Sequence, residues 1–347
     1  MLRCSRCGKA YPEVFRLNCD CGGTLFVERN LEAFAPEPFL DLRRYRNNLP
    51  LECEVFPIPA VTPVSEVEIK GVRAVFKLDY LQPSGSFKDR GTWVTVSKLL
   101  NEGIGEVVLD SSGNAALSFA LYGLANGISV HAFVPSGTSP GKLSLLQRLG
   151  ALVHYVDGDR MTVHEKAVEF AERKGLTYVS HWLNPYFIEG TKTIAFEIYE
   201  QLGVPDWVLI PTGSGTLFLG LWKGFSELKA TGEIERLPRL VAVQASGYES
   251  LCERSAVRNT LAEGIAIPEP PRLEEMRLAM GETKGICVSV DDDETMGALG
   301  WLRRHGFLVE PTSAVVLPAL WKLLERGLIG RGELVVMPLT GSGLKLT

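Results

Sequence analysis

From about residue 92 the chain repeats one unit: a short apolar run, a turn of small residues, then a longer amphipathic run. The first set predicts helices at Thr92–Asn101, Ala115–Asn126, Gly141–Leu149 and Met161–Lys174, separated by strands at Glu106–Asp110, Ser129–Val134, Leu152–Val156 and Thr177–Ser180. Val163, Ala167, Phe170 and Ala171 keep the spacing of a helix that covers a sheet. After a loop at His181–Gly190 a second set follows, with helices Thr191–Leu202, Leu217–Leu228, Asp292–Gly306 and Thr312–Arg326. Its strands are Trp207–Pro211, Arg239–Gln244, Gly285–Val290 and Glu333–Pro338, and Arg73–Leu78 reads as one more strand upstream. Short apolar strands joined by helices imply parallel sheets, because parallel neighbours need a long crossover. The expected fold is therefore α/β, with two parallel-sheet α/β/α domains and a cleft between them that receives the C-terminal ends of the strands. Residues 30–100 with 185–347 would form the larger domain and 101–184 the smaller. Residues 30–60, with Pro36, Pro38, Pro50, Pro57 and Pro59, read as an extended connection, and 246–284 as irregular.

Residues 1–29 stand apart. Cys4 and Cys7 form a CxxCG turn, and Cys19 and Cys21 follow with one residue between them, whereas Cys53, Cys252 and Cys287 are scattered. Four clustered cysteines in a chain without a secretory signal suit a tetrahedral thiolate site better than a disulfide framework. Cys4, Cys7, Cys19 and Cys21 are accordingly expected to hold a structural zinc in a small ribbon that has too little core of its own. Asp291-Asp292-Asp293 reads as a helix cap rather than a metal cluster. The net charge of −5 argues against a general nucleic-acid surface. No run approaches the ~18 apolar residues of a membrane span. The N-terminus lacks a signal-peptide core, so the cytoplasm is the expected location.

Three strand–turn–helix junctions carry chemistry. In Pro83–Gly91 (PSGSFKDRG) a lysine, Lys88, sits at the buried end of an apolar helix. Such a lysine can lose hydration, lower its pKa and become a nucleophilic amine, as a Schiff base with pyridoxal phosphate requires. A solvated surface charge is the plainer alternative. The turn Gly213-Ser214-Gly215-Thr216 could cradle a phosphate on backbone N–H groups at a helix N-terminus, or be only a tight connection. Ser111-Ser112-Gly113-Asn114 could hold a carboxylate in the same way, with Asn114 reaching a phenolic oxygen, or simply cap its helix. Thr340, after the last strand, could hydrogen-bond a heteroaromatic nitrogen and leave it neutral.

Together these stretches resemble the fold-type II pyridoxal-phosphate enzymes, tryptophan synthase β-like, and most closely the threonine synthase group. Asn184-Pro185-Tyr186 with Glu189–Thr193 (EGTKT), Glu310–Ala314 (EPTSA) and Leu339–Lys345 (LTGSGLK) add to the likeness, as does the cysteine ribbon. The resemblance implies that Lys88 bonds the cofactor and moves protons, that Phe87 lies beside the ring, and that Asn114 meets its hydroxyl. It implies a phosphate cradle at Gly213, Ser214, Gly215 and Thr216, Thr340 on the ring nitrogen, and Ser111, Ser112 and Gly113 around the substrate carboxylate. It also implies a small amino-acid substrate and a homodimer. The substrate side departs from the group's pattern at Ala115, His181, Trp182 and Phe187. Phe187 stands where the pattern has an arginine that grips the phosphate of phosphohomoserine, so that compound is expected to be a poor substrate. Elimination, or elimination with replacement, on a small L-amino acid is the leading reading. A serine/threonine dehydratase, a cysteine- or cysteate-synthase-like enzyme, an inactive cofactor-binding protein and a nucleotide-binding α/β protein are the alternatives.

Overall fold

The computed structural model describes residues 1–29 and 31–346. Strands β1 (Leu2–Cys4), β2 (Ala10–Tyr11) and β3 (Leu25–Val27) form an antiparallel ribbon in the order β2-β1-β3. The connection after it contains a 3-10 turn, Leu42–Asn48, capped by Asp41. It also leads into a hairpin that the sequence reading lacked, β4 (Val64–Ile69) with β5 (Val72–Lys77). Lys70 and Gly71 turn this hairpin with φ of 52° and 80°, the handedness that matches strand twist. β4 alternates poorly and carries exposed Glu66 and Glu68, which suits a sheet edge.

α1 (Lys88–Asn101) begins at Lys88 rather than Thr92, so the lysine is its first residue. β6 (Glu106–Leu109), α2 (Asn114–Asn126), β7 (Ser129–Pro135), α3 (Pro140–Arg148), β8 (Leu152–Val156), α4 (Arg160–Lys174) and β9 (Thr177–Tyr178) follow. Their strands make an all-parallel sheet in the order β8-β7-β6-β9. α5 (Pro185–Thr191) occupies most of the expected loop. Asn184 caps it by accepting from the Tyr186 N–H, and Pro185 takes a first-turn position where its missing donor costs nothing.

The chain closes with α6 (Thr193–Leu202), β10 (Trp207–Pro211), α7 (Thr216–Ala230), β11 (Arg239–Ala245), α8 (Leu273–Glu282), β12 (Ile286–Val290), α9 (Asp292–Arg304), α10 (Pro311–Ala314), α11 (Val316–Glu325) and β13 (Leu334–Pro338). The second sheet runs β12-β11-β10-β13-β5-β4 and is parallel except for β4. α8 lies within the stretch that reads as irregular, and a Cys252–Cys287 disulfide ties that stretch to β12. Asp291 closes a capping box with Glu294 at the start of α9.

Two close approaches aim the helices at the cleft. A Cβ on Gly190 of α5 would strike the Arg90 backbone of α1, and one on Gly91 would strike the Phe187 ring. Beneath them the buried Arg90 guanidinium pairs with Asp79 at 2.7 Å and donates to Glu197 at 3.0 Å and Thr193 at 2.9 Å. Lys77 also pairs with Glu197, so β5, α1 and α6 share one buried charge network. No helix among the described residues is long and apolar enough to cross a membrane.

Candidate active site

The strand ends of β6, β10 and β13 and the helix starts of α1, α2 and α7 converge on a cavity of about 460 Å³. Its wall includes Phe87, Lys88, Ser111–Ala115, Gly213–Thr216, His181 and Thr340. Three distant turns thus meet because parallel strands deliver their C-terminal ends to one side.

Lys88 Nζ lies 4.6 Å from the Phe87 ring centroid and 5.6 Å from that of Phe187. It makes no hydrogen bond or ion pair with any described residue. Burial, reinforced by the nearby charge of Arg160 and opposed by Glu310, brings its amine down to about 7. A large neutral fraction at neutral pH makes that nitrogen a nucleophile and a proton acceptor.

In the same cavity, Gly215 has a φ of 88°, and a Cβ there would lie 2.5 Å from Met276 Sδ of α8. Only glycine lets the turn run this close to α8 while opening α7. The hydroxyls of Ser214 and Thr216 have no protein partner among the described residues, so they remain free for a ligand. Hydroxyls and amides at the start of a fifteen-residue helix suit a phosphate monoester, and an unpaired amine in the same cavity suits its aldehyde. The residues present therefore fit pyridoxal phosphate.

Other groups are more constrained. Asn114 donates from Nδ2 to Glu310 at 2.8 Å, and its Oδ1 accepts from Lys345. Lys345 also pairs with Glu310 at 3.2 Å and donates to Gly85 O at 2.9 Å. Asn114 is thus fixed by two cavity residues that sequence reasoning left unassigned, although both lie in motifs it singled out. Thr340 shares its hydroxyl with Ser313 Oγ at 3.0 Å, and Ser313 Oγ accepts the N–H groups of Thr340 and Gly341.

The Ser111–Gly113 turn opens α2, where the Gly113 N–H donates to Ser111 Oγ at 3.3 Å, and Ala115 adds a small apolar wall. His181 is held well below its ordinary value by burial and by the charges of Lys88 and Arg160, so it is neutral. Trp182 and Phe187 do not belong to the cavity wall. Trp182 stacks on His181 at 6.1 Å, and Arg272 donates to its carbonyl. Phe187 is fully buried against Gly91 beneath Lys88. Lys142, Arg160 and Glu263 also line the cavity, and all three escaped sequence reasoning. For Arg160 there was a signal: it follows the turn after a parallel strand, where ligands gather.

The ribbon's sulfurs converge as well. The Sγ atoms of Cys4, Cys7, Cys19 and Cys21 all lie within 4.8 Å of one another, with Cys4–Cys21 at 3.6 Å and Cys7–Cys19 at 3.5 Å. Four Zn–S bonds of about 2.3 Å in a tetrahedron separate the sulfurs by about 3.8 Å, so the set has the size of a zinc site.

A lysine that opens a helix at the strand ends of two α/β sheets, in one cavity with the glycine-rich start of a second helix, is the arrangement of a pyridoxal-phosphate enzyme of fold type II. The family described as pyridoxal-phosphate dependent enzyme matches residues 55–341, and the chain belongs to that family. Among curated relatives, a threonine synthase of Methanocaldococcus jannaschii is 34% identical, over 99% of this chain and 92% of the relative. A threonine synthase of Mycobacterium leprae is 33% identical over 87% of each. Among solved structures, threonine deaminase isoform 2 of Solanum lycopersicum superposes with a TM-score of 0.72 and 24% identity, covering 82% of this chain and 80% of that one. The L-serine ammonia-lyase of Rhizomucor miehei gives 0.70 and 19%, covering 82% and 94%. Likenesses of such low identity speak for the fold.

Proposed function

We propose that the protein is a lyase of threonine synthase type that acts on a small L-amino acid by elimination, or by elimination and replacement. The observation that carries this reading is the unpaired, near-neutral Lys88 amine in one cavity with the Gly213–Thr216 turn. Lys88 would hold pyridoxal phosphate covalently, Gly213–Thr216 its phosphate, Asn114 its hydroxyl edge and Thr340 its ring nitrogen. When bound, the cofactor supplies an electron sink for a substrate carbanion.

This chain's residues do the rest. The N-terminus of α2, with Ser111, Ser112 and Gly113, orients the substrate carboxylate through N–H groups and the helix dipole. Lys88, once free, takes the proton from the substrate α-carbon, and a pKa of about 7 suits both uptake and return. Thr340 offers a hydroxyl rather than a carboxylate, which favours a neutral ring nitrogen. Phe87 and Ala115 give the cavity apolar wall beside the amine, and His181 adds a neutral ring. Serine or threonine dehydration is the second reading. It is favoured by Ala115 in the wall and by the burial of Phe187, since neither offers a polar group to water or phosphate.

Steady-state assays with phosphohomoserine, serine, threonine and phosphoserine, following phosphate, ammonia and 2-oxo acid, test the reaction. Turnover of at least one is expected, and cofactor-saturated protein inert toward all four would overturn it. In the same reading, residues 1–29 form a zinc ribbon on Cys4, Cys7, Cys19 and Cys21. Residues 30–100 with 185–347 act as the cofactor domain, and 101–184 as a smaller domain that bears on the substrate. A cytoplasmic homodimer completes the proposal, and sedimentation equilibrium checks its stoichiometry.

A further inference from the structure

Taking the Ser111–Gly113 turn as the site of the substrate carboxylate, we propose that Asp110 and His164 form a counterion pair behind it, and that the turn holds a carboxylate tightly only while His164 keeps its proton. The start of α2 offers an anion its N–H groups and about half an elementary positive charge. Asp110, the residue immediately before Ser111, works against that offer. Its side chain lies just past β6 and is 2% exposed, so solvent ions screen it little. A carboxylate left unbalanced there opposes any anion brought to the turn.

The balance comes from α4 and β9. His164 of α4 brings Nδ1 to 3.2 Å from Asp110 Oδ2, and Tyr178 of β9 donates its hydroxyl to Asp110 Oδ1 at 2.6 Å. Burial and the Asp110 charge push the Tyr178 hydroxyl well above its ordinary range, so Tyr178 gives a hydrogen bond and no charge. His164 is the partner that can bring a cation. Its Nδ1 also lies 3.1 Å from the Tyr178 oxygen, and the Trp182 ring meets it edge-on at 6.2 Å. Arg160 and Glu165, both on α4, act on the imidazole in opposite directions, Arg160 lowering and Glu165 raising it. The hydrogen bond to Asp110 outweighs burial and lifts His164 above its ordinary value. Below that value the pair is balanced, and above it Asp110 stands alone. An anion in the turn and a proton on His164 therefore stabilise each other, and affinity for the anion falls as pH rises through the His164 titration. His164 acts through Asp110 on the turn and is a positioning residue rather than a catalytic one.

Calorimetric titration of the cofactor-loaded protein with butyrate, from about pH 6 to about pH 9 so as to span histidine titration, tests this. Butyrate carries the carboxylate but no amine to exchange with Lys88, and butyramide is its uncharged control. Wild-type affinity for butyrate should fall at least about fivefold across the range, the lower end of couplings between sites, while butyramide stays flat. Asp110→Asn removes the opposing charge, so it should bind butyrate more tightly than wild type at the alkaline end and lose the pH dependence. His164→Asn leaves Asp110 unbalanced and should bind butyrate weakly throughout. A merely structural pair would weaken both variants alike. Weaker alkaline binding in Asp110→Asn overturns the pair, and the wild-type comparison with butyramide decides the matter if either variant does not fold. Butyrate preferred over butyramide by the same factor at every pH also overturns the pair and leaves the carboxylate site standing. No preference for butyrate at any pH overturns both.

Discussion

Lys88 and Gly215 show how single residues set the chemistry. At about 7, the Lys88 amine is mostly protonated below neutrality and mostly free above it, because burial penalises the cation. Covalent loading of cofactor-stripped protein should therefore speed up as pH rises through about 7 and then level off. A rate still climbing steeply near pH 10 would mark an ordinary lysine. Gly215 should tolerate no side chain: alanine would pay about 1–2 kcal/mol at that positive φ and would also meet Met276. Gly215→Ala should weaken pyridoxal phosphate affinity at least about tenfold, measured by fluorescence titration. Lys88 and Gly215 were legible in the sequence because turn chemistry is local. Glu310, Lys345 and Arg160 were less so. Their roles depend on which distant turn they face, and a motif quoted for its likeness does not say which of its side chains reaches a cavity.

At the scale of elements, parallel strands and their helices were legible from hydrophobic periodicity, and their ends moved by only a residue or two in most cases. The elements missed have physical reasons. α5 and α8 both follow prolines, which read as breaks in a sequence but here begin helices: Pro185 opens α5, and Pro270-Pro271 lead into α8. β4 is an edge strand whose charges hide its period. The buried network ties elements that are far apart in the chain. Arg90→Ala would leave Asp79 and Glu197 as buried charges with less compensation, and should cost about 3–5 kcal/mol in denaturant unfolding. The ribbon also reaches the Gly213–Thr216 turn through α8. Ser5 donates to Glu275 of α8 at 2.7 Å, Thr24 donates to the same oxygen, and Met276 beside it packs on Gly215. Stripping metal with a chelator, or Cys7→Ser, should lower the Tm and loosen cofactor binding together. A zinc-to-protein ratio near zero in gently purified material would contradict the metal site.

At the scale of the whole molecule, two sheets built from separate stretches of chain place their strand ends on one cleft, and both contribute to it. The larger sheet brings the Gly213–Thr216 turn and Thr340, and the smaller brings Ser111–Gly113 and Arg160. We expect this convergence to make Lys88 the single point of cofactor attachment. Borohydride reduction of the purified protein, followed by peptide mapping, reads that directly. We expect a pyridoxyl group on Lys88 alone, absent from Lys88→Ala. A label on Lys142, Lys345 or another lysine, or on none, would contradict it.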